Sequence, residues 1–349
     1  MRTAIVELRT SHEECIFSQL RFLKDAGHRV TLILHPALAP QIKDYQNLAD
    51  DLVYIDFDKA DFFTKLQRQW QLFGILRKFD LLVFNTAHSY SVLRNLSQLL
   101  RFVSTRCVGI LHDTKKLNSS STQRLISKKV KKYFVLNDAL LPTDPSADPI
   151  EVQSFYPIFF PKYEPVPTYK QNEIWIGIPG RIDYGRRAYD FLIDVLATIP
   201  NLKRVKFLIL GKVDATDPAG KRLYDSLKDL GRSERFKMFH SFIPNEEYHA
   251  YLAACDYIMP LLTHKEEYLE HKISGTFNLA FAHKKPLLCH TFFQDIPDLK
   301  ENSLFFDTET FPKLISDIDT KNTASPASYA DPKWSYRFQQ KRYIDFINE

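Results

Sequence analysis

The feature that most limits what this chain can become is a repeated order of short apolar runs and amphipathic stretches. Thr3–Leu8, Val30–Leu34, Leu52–Ile55, Leu81–Phe84, Cys107–Leu111 and Tyr133–Leu136 are apolar runs of strand length. Glu13–Ala26, Ala60–Lys78 and Ser91–Phe102 lie between them with apolar residues at helical spacing. Such alternation predicts a parallel sheet with helices on both faces, and ligands beyond the carboxyl ends of its strands. Pro157, Pro161, Pro165 and Pro167 then mark an extended linker. The alternation restarts with strands at Glu173–Ile178, Val205–Leu210, Phe236–Phe239, Tyr257–Met259 and Leu287–Cys289. The expectation is two doubly wound α/β domains, 1–156 and 173–325, joined by 157–172 and facing each other across a cleft. The terminal segment 326–349 ends in an aromatic helix, roughly Trp334–Ile347, sticky enough to pack onto another element.

Composition narrows the class. Hydrophobic residues make up 44% and charged residues 26%, with no long block of one sign, so this is a folded globular chain rather than a disordered one. No apolar run reaches the length of a membrane span, and Met1–Leu8 reads as a strand rather than a signal peptide. Cys15, Cys107, Cys255 and Cys289 are far apart without metal-ligand spacing, which predicts reduced thiols, a cytoplasmic setting and no structural zinc. A net charge of +5 is compatible with an anionic ligand without demanding one. Lys115, Lys116, Arg124, Lys128, Lys129, Lys131 and Lys132 follow Asp113 with no further acid among them. Segment 115–132 therefore has two open readings, peripheral contact with phospholipid or a solvated helix face. Nucleic acid is not expected, because few aromatics interleave with these cations. Phe62, Phe63, Leu66, Trp70 and Phe73 share a helix with Lys65, Arg68, Arg77 and Lys78. Core packing is the expected account of those aromatics, and membrane contact the alternative.

Three stretches carry the chemistry. In "HKISGTFNLAFAHKKPLLC", Ser274, Gly275 and Thr276 form a helix N-terminal signature, which attracts anions through unpaired N–H groups and the helix dipole. An ordinary capped helix is the plainer reading. "GRIDYGRR", from Gly180 to Arg187, closes the first strand of the second domain with three arginines, whose paired donors match phosphate oxygens. Gly211 and Lys212 repeat the theme after the next strand, and Lys272 stands two residues before Ser274. Cations and a helix N-terminus around one crevice are what a diphosphate leaving group needs. Neither GxGxxG nor GxxxxGK[ST] occurs, so dinucleotide cofactors and ATP hydrolysis are not expected.

Taken in order, "IPGRIDYGRRAYDFLIDVL", "VKFLILGK", "FHSFIPNEEYHAYLAACDYIMPLL" and "KISGTFNLAFAHKKPLL" resemble GT-B fold glycosyltransferases, and loosely glycosyltransferase family 4. The resemblance implies a donor diphosphate held by Arg181, Arg187, Ser274, Gly275 and Thr276, to which the charge reading above adds Lys212 and Lys272. It implies a nucleoside beside Gly180, Gly211, Ser241, Phe242, Ile243 and Asn278. In the first half, "CVGILHD" is similar to a family strand ending in a histidine that faces the cleft, here His112 with Asp113 next. "DLLVFNTAHS" is similar to another that borders it with Asn85, Thr86 and His88. The first loop, Arg9–Glu14, replaces the family's glycine pair. The family's two glutamates, eight positions apart, fall here on His271 and Leu279, with Glu270 and Asn278 one residue off, so stereochemistry does not carry over. A last helix returning to the first domain is also typical.

The function so implied is transfer of a sugar, of hexosyltransferase type, from a nucleotide-diphosphate donor to a glycan or lipid-linked acceptor. It would serve cell-surface polysaccharide synthesis in the cytoplasm or at the inner membrane face, with neither metal nor cofactor. His112 would orient the sugar or assist proton transfer, with Asp113, His12 and Glu13 as candidate bases. The plainer readings are a hydrogen bond closing a strand for His112, and helix capping for His12 and Glu13. The alternatives are a nucleotide-sugar epimerase or phosphotransferase of the same fold, and an inactive nucleotide-sugar-binding paralogue.

Overall fold

Runs such as Ala4-Ile5-Val6, Leu32-Ile33-Leu34 and Leu81-Leu82-Val83-Phe84 have no polar face, and strands of this kind are stable only when covered on both sides. The computed structural model, which describes residues 1–58, 61–88, 90–142, 150–163, 170, 172–199, 202–263, 270–320 and 328–349, builds two such sheets. The first contains β1 (Arg2–Glu7), β2 (Arg29–Leu34), β3 (Asp51–Tyr54), β4 (Leu81–Phe84), β5 (Arg106–Ile110), β6 (Lys132–Val135) and β7 (Glu151–Ser154). Its order is β3-β2-β1-β4-β5-β6-β7, all parallel, with Ile5 paired to Leu32 on one side and Val83 on the other. The helices beside it are α1 (Ile16–Asp25), α2 (Ala39–Ile42), α3 (Phe62–Leu76), α4 (Ser91–Leu100), α5 (Lys115–Ser119) and α6 (Ser121–Ile126).

The second sheet contains β8 (Ile174–Pro179), β9 (Val205–Lys212), β10 (Phe236–Phe239), β11 (Tyr257–Ile258), β12 (Leu287–His290) and β13 (Ser303–Phe306). Its order is β10-β9-β8-β11-β12-β13, again all parallel. Beside it lie α7 (Tyr189–Thr198), α8 (Pro218–Asp229), α9 (Asn245–Ala254), α10 (Gly275–Ala282), α11 (Pro297–Lys300) and α12 (Phe311–Asp319). In each sheet the winding direction reverses once, between β1 and β4 and between β8 and β11. Open parallel sheets bind ligands at the carboxyl ends flanking such a reversal.

The chain divides into two units. One comprises Met1–Pro161, Glu270–Ile273 and Pro332–Glu349; the other comprises Lys162–Leu269 and Ser274–Asp331. The last helix, α13 (Tyr336–Asn348), is part of the first unit and drives Tyr343, Phe346 and Ile347 into its core. The Tyr343 ring stacks on Phe134 at 4.5 Å and 3°. All four cysteines are buried and unpaired. Burial pushes the thiols of Cys107, Cys255 and Cys289 up to about 12 and that of Cys15 up as well.

Several expectations need correction. Phe62, Phe63, Leu66 and Trp70 are not core residues: they are 74%, 79%, 44% and 54% exposed, and α3 turns Leu72 and Leu76 inward instead. The basic stretch is not one helix and not one face. Ser120 interrupts it as the N-cap of α6, accepting from the Gln123 N–H at 3.2 Å. Lys115 and Lys116 follow β5 at the carboxyl edge, whereas Lys128, Lys129 and Lys131 precede β6 at the amino edge and Lys132 begins it. There Lys129 donates to the Val103 carbonyl at 2.9 Å, and Lys132 donates to that of Phe346 at 3.1 Å. Residues 270–273 belong to the first unit rather than the second, because the Thr114 N–H donates to the His271 carbonyl at 3.0 Å. The strands β7 and β13 and the helices α11 and α12 are additional to those expected. Ala60, Pro165 and Pro167, with the boundary expected at 325/326, lie outside the described residues.

Candidate functional site

In the first unit the polar residues gather where β1, β4 and β5 end. Glu7 is the last residue of β1 and only 1% exposed, a carboxyl group the strand carries into the interior. Its Oε2 accepts from Asn85 Nδ2 at 2.8 Å and from Thr86 Oγ1 at 2.6 Å; its Oε1 accepts from the Arg9 N–H at 2.9 Å. Burial raises the Glu7 pKa and outweighs these hydrogen bonds, which act the other way. Asn85 also donates to the His12 carbonyl at 2.8 Å and accepts from Gln19 Nε2 at 2.6 Å, while Gln19 Oε1 accepts from the Tyr343 hydroxyl at 3.2 Å. A continuous hydrogen-bonded path thus runs from α13 to Glu7.

The histidines sit against this network. His12 has a left-handed backbone at φ 71° and makes no side-chain cap, so the capping role does not apply to it. Its ring stacks on His112 with centroids 3.6 Å apart, and its Nδ1 lies 3.5 Å from Glu14 Oε1. Burial opposes charge on His12, but the hydrogen bond and charge of Glu14, backed by Glu7 and Glu13, together raise its pKa. Burial, then the charge of His12, pushes His112 well below the ordinary histidine value, so it is neutral near pH 7. His112 Nε2 stands 2.7 Å from the Asn85 carbonyl, which can only accept. That carbonyl fixes the hydrogen on Nε2 and leaves Nδ1 as an acceptor. His112 therefore does close a strand-end hydrogen bond, and it keeps one basic nitrogen. His88 lies 6.1 Å from the His112 ring with a buried, unpartnered Nε2, and burial, then Arg9, lowers its pKa to about 4. Burial, then Glu14, raises Glu13 to about 7.

Asp113 and Lys272, assigned from the sequence to different roles, face each other. Asp113 Oδ2 lies 3.6 Å from Lys272 Nζ, and its Oδ1 accepts from the Lys115 N–H at 3.2 Å. Beside them a cavity of about 760 Å³ opens beyond the ends of β5 and β6. Its wall is mixed: Leu111, Leu117, Val135, Leu140 and Val152 are aliphatic, and Thr114, Lys115, Ser119, Glu270 and His271 supply polar groups.

In the second unit Gly180, Arg187, Gly211, Ser274 and Thr276 come together. Arg187 is 8% exposed; its Nη1 donates to the Pro260 carbonyl and its Nη2 to Thr276 Oγ1 at 3.4 Å. Thr276 Oγ1 in turn donates to the Pro179 carbonyl at 3.4 Å. Ser274 caps α10 by accepting from the Thr276 N–H at 3.4 Å. The glycines are steric requirements. Gly180 has φ 115°, and a Cβ there would stand 2.3 Å from Arg187 Nη2; one at Gly211 would stand 2.1 Å from the Gly180 carbonyl oxygen. A guanidinium and the positive end of a helix are thus held side by side, an arrangement that favours an anion. Gly275 is exposed, and a Cβ built on it meets open space.

Of the other expected donor residues, Arg181 and Lys212 directly follow Gly180 and Gly211 and are exposed. Lys212 pairs with Asp214 at 2.6 Å, which pulls the Asp214 carboxyl far below its usual range. Arg181 and Ser241 are exposed, Phe242 is 59% exposed and Ile243 is buried. Asn278 is 3% exposed, and its Oδ1 has no hydrogen-bond partner. A second cavity, about 370 Å³, lies beyond β11, β12 and β13, lined by Phe191, Pro260, Leu261, His290, Phe292 and Phe306. Glu7 and this aromatic lining were not anticipated. A carboxylate at the end of an otherwise apolar strand, and "HTFF" directly after β12, are the signals that point to them.

One group could hold a cation by proximity: His35, Asp56 and Asp58, with ligand atoms within 4.8 Å of one another. His35 Nδ1 accepts from the Ala37 N–H at 3.1 Å, so the hydrogen of the neutral ring sits on Nε2, between Asp56 Oδ1 at 3.2 Å and Asp58 Oδ2 at 3.3 Å. That tautomer offers no lone pair to a metal.

With this geometry in place, comparison with known proteins is informative about the fold. No family model matches the chain, and no curated protein matches its sequence. Solved structures match along its whole length. HepE of Anabaena in complex with UDP superposes with a TM-score of 0.70 at 14% identity, covering 100% of both chains. A glycosyltransferase from Rickettsia africae gives 0.69 at 12% identity, over 99% of this chain and 97% of the other. The UDP-GlcNAc 2-epimerase of Methanocaldococcus jannaschii gives 0.64 at 9% identity, over 100% and 99%. The class is therefore the GT-B fold, two parallel α/β domains of seven and six strands.

Proposed function

We propose that this chain is a glycosyltransferase whose second unit grips the diphosphate of a nucleotide-sugar donor at Arg187 and the first turn of α10. The observation that carries this is the buried Arg187 guanidinium, hydrogen-bonded to Thr276 one residue inside that helix. As the bond from the anomeric carbon to the diphosphate breaks, negative charge collects on the departing oxygens. Arg187, the exposed Arg181 and the N–H groups of α10 stabilise it, each such donor worth on the order of a hundredfold in rate. The likeness to HepE, solved with UDP, supports a nucleoside diphosphate as ligand. The loose sequence resemblance to glycosyltransferase family 4 is compatible with this. The nucleoside has two candidate seats, the loop Ser241–Ile243 and the aromatic cavity beside Pro260.

The first unit takes the acceptor. Its cavity, with aliphatic side chains beside Thr114, Lys115, Ser119, Glu270 and His271, suits an acceptor that carries hydroxyls next to an apolar portion, such as a lipid-linked glycan. His112 Nδ1, a neutral acceptor, receives a sugar hydroxyl, and Glu13, with its pKa near 7, is the better-tuned base. Asp113, tied to Lys272, is a positioning residue. The cluster of Glu7, Glu13, His12 and His112 supports a second reading, epimerisation of the donor sugar, which is the chemistry named for one neighbour.

Thermal stabilisation by a panel of nucleoside diphosphates tests the donor site. One base is expected to raise the melting temperature. Gly275→Ala leaves the fold intact, since its Cβ has room, but it intrudes on a bound phosphate and abolishes the shift. Arg187→Ala does the same. An undiminished shift in Gly275→Ala removes α10 from the site. Conversion of a nucleotide sugar without any acceptor would select the epimerase reading.

A further inference from the structure

Among the described residues of the first unit, the outer face of α3 groups four exposed large apolar side chains. Phe62, Phe63, Leu66 and Trp70 fall within an arc of about 100° on the helix. Leu72 and Leu76, which are fully buried, lie beside that arc rather than within it, Leu76 about 40° from Phe62 around the helix. Phe62 and Phe63 touch edge to face at 5.7 Å, and half or more of each aromatic side chain in the arc is open to solvent. Large apolar side chains left this open, and contiguous, mark a surface that meets something other than water.

The charges on the helix say what that is. From residue 62 to 78 there are four cations, Lys65, Arg68, Arg77 and Lys78, and no acid. Asp61, just before, is the N-cap, accepting from the Thr64 N–H, and these Thr64 hydrogen bonds lower its pKa, so it stays an anion at the helix start. Arg77 continues the apolar arc and Lys78 flanks it, both exposed. Four apolar side chains on one helix fall well short of the roughly 20–30 residues that each side of a stable protein interface uses. Arg68 turns to the other side and donates to the Asp56 carbonyl, but Lys65 and Lys78 flank the strip at about 60° on either side, which matches a bilayer with anionic headgroups, into which Phe, Leu and Trp insert while Lys and Arg stay at the phosphates. No described helix is long and apolar enough to cross a membrane, so the contact is with the surface.

We infer that α3 docks the first unit onto an anionic lipid bilayer through Phe62, Phe63, Leu66 and Trp70. Because α3 follows β3, its first turns stand at the carboxyl edge of the sheet, the edge that carries His112 and the cavity beyond β5 and β6. The bilayer therefore meets the unit on the side where the acceptor is proposed to enter. The inference does not depend on the donor site, and neither does its test.

Sedimentation with vesicles provides that test, using phosphatidylcholine alone and phosphatidylcholine mixed with phosphatidylglycerol. The full chain is expected to pellet with the mixed vesicles, far less with the neutral ones, and to be released by salt. Phe63→Ser with Trp70→Ser should weaken binding about tenfold or more, since each side chain loses its apolar transfer; both positions are exposed, so the fold is retained. Trp175 and Trp334 are 4% and 6% exposed, so brominated lipid should quench Trp70 selectively. Failure to pellet with mixed vesicles overturns the inference. So does equal binding by the double variant, or a dimer in solution that this variant abolishes.

Discussion

His12 and His112 stack at 3.6 Å, but their surroundings pull them apart electrically. Glutamates raise the pKa of His12, whereas enclosure keeps His112 uncharged with its hydrogen directed at a carbonyl. Glu13 offers a stability measurement. Burial raises its pKa from 4.5 to about 7, so the folded state holds the proton more tightly than the unfolded state does. The stability this gives is complete below pH 4.5 and is lost as pH rises through about 7. Thermal melts across that window should show wild type losing stability relative to Glu13→Gln, with the variant the more stable above pH 7; parallel curves would mean Glu13 ionises freely. At this scale the sequence was informative where chemistry is local. Ser274 capping α10 and Arg187 beside a strand-to-helix glycine follow from neighbouring residues. Glu7 bound by Asn85 and Thr86 does not, because its partners lie 78 and 79 positions away.

Among the elements, α13 carries the most testable load. Tyr343 is fully buried, stacks on Phe134 and donates to Gln19, which holds Asn85. Tyr343→Ala should cost about 3–5 kcal/mol, as other large-to-small aromatic changes do. Tyr343→Phe keeps the stack and should cost about 1–3 kcal/mol through the abandoned Gln19 oxygen. Denaturant unfolding of the pair separates packing from hydrogen bonding, and a Phe variant equal to wild type would leave the relay without energetic weight. Long periodic elements were legible: β4 and β10 have the ends that their apolar runs suggest, and α1 and α4 are displaced by only a few residues. β7 was not, because Glu151-Val152-Gln153-Ser154 is short, polar at three of its four positions and on the edge of its sheet. The face of α3 was misread for a different reason. An aromatic stripe at helical spacing looks the same whether it turns inward or outward, and only the position of Leu72 and Leu76 decides it.

For the whole molecule, strand-helix alternation and its interruption by prolines were enough to predict two parallel α/β domains, since each unit meets its own burial requirement. Which distant segments join which unit was not readable: 270–273 associates with the first unit through Thr114 and Asp113, partners far off in sequence. Two cores need not melt together. The burial of the cysteines has a practical outcome here. Cys15 and Cys107 lie in one unit, Cys255 and Cys289 in the other, and none presents a thiolate while its unit is intact. Alkylation under gradual heating, read peptide by peptide, should therefore time the opening of each unit separately, and a nucleoside diphosphate should delay Cys255 and Cys289 more than the other pair. Equal delay of all four would mean that the two units open as one. The chain thus carries its own clocks, two to a lobe, without any introduced label.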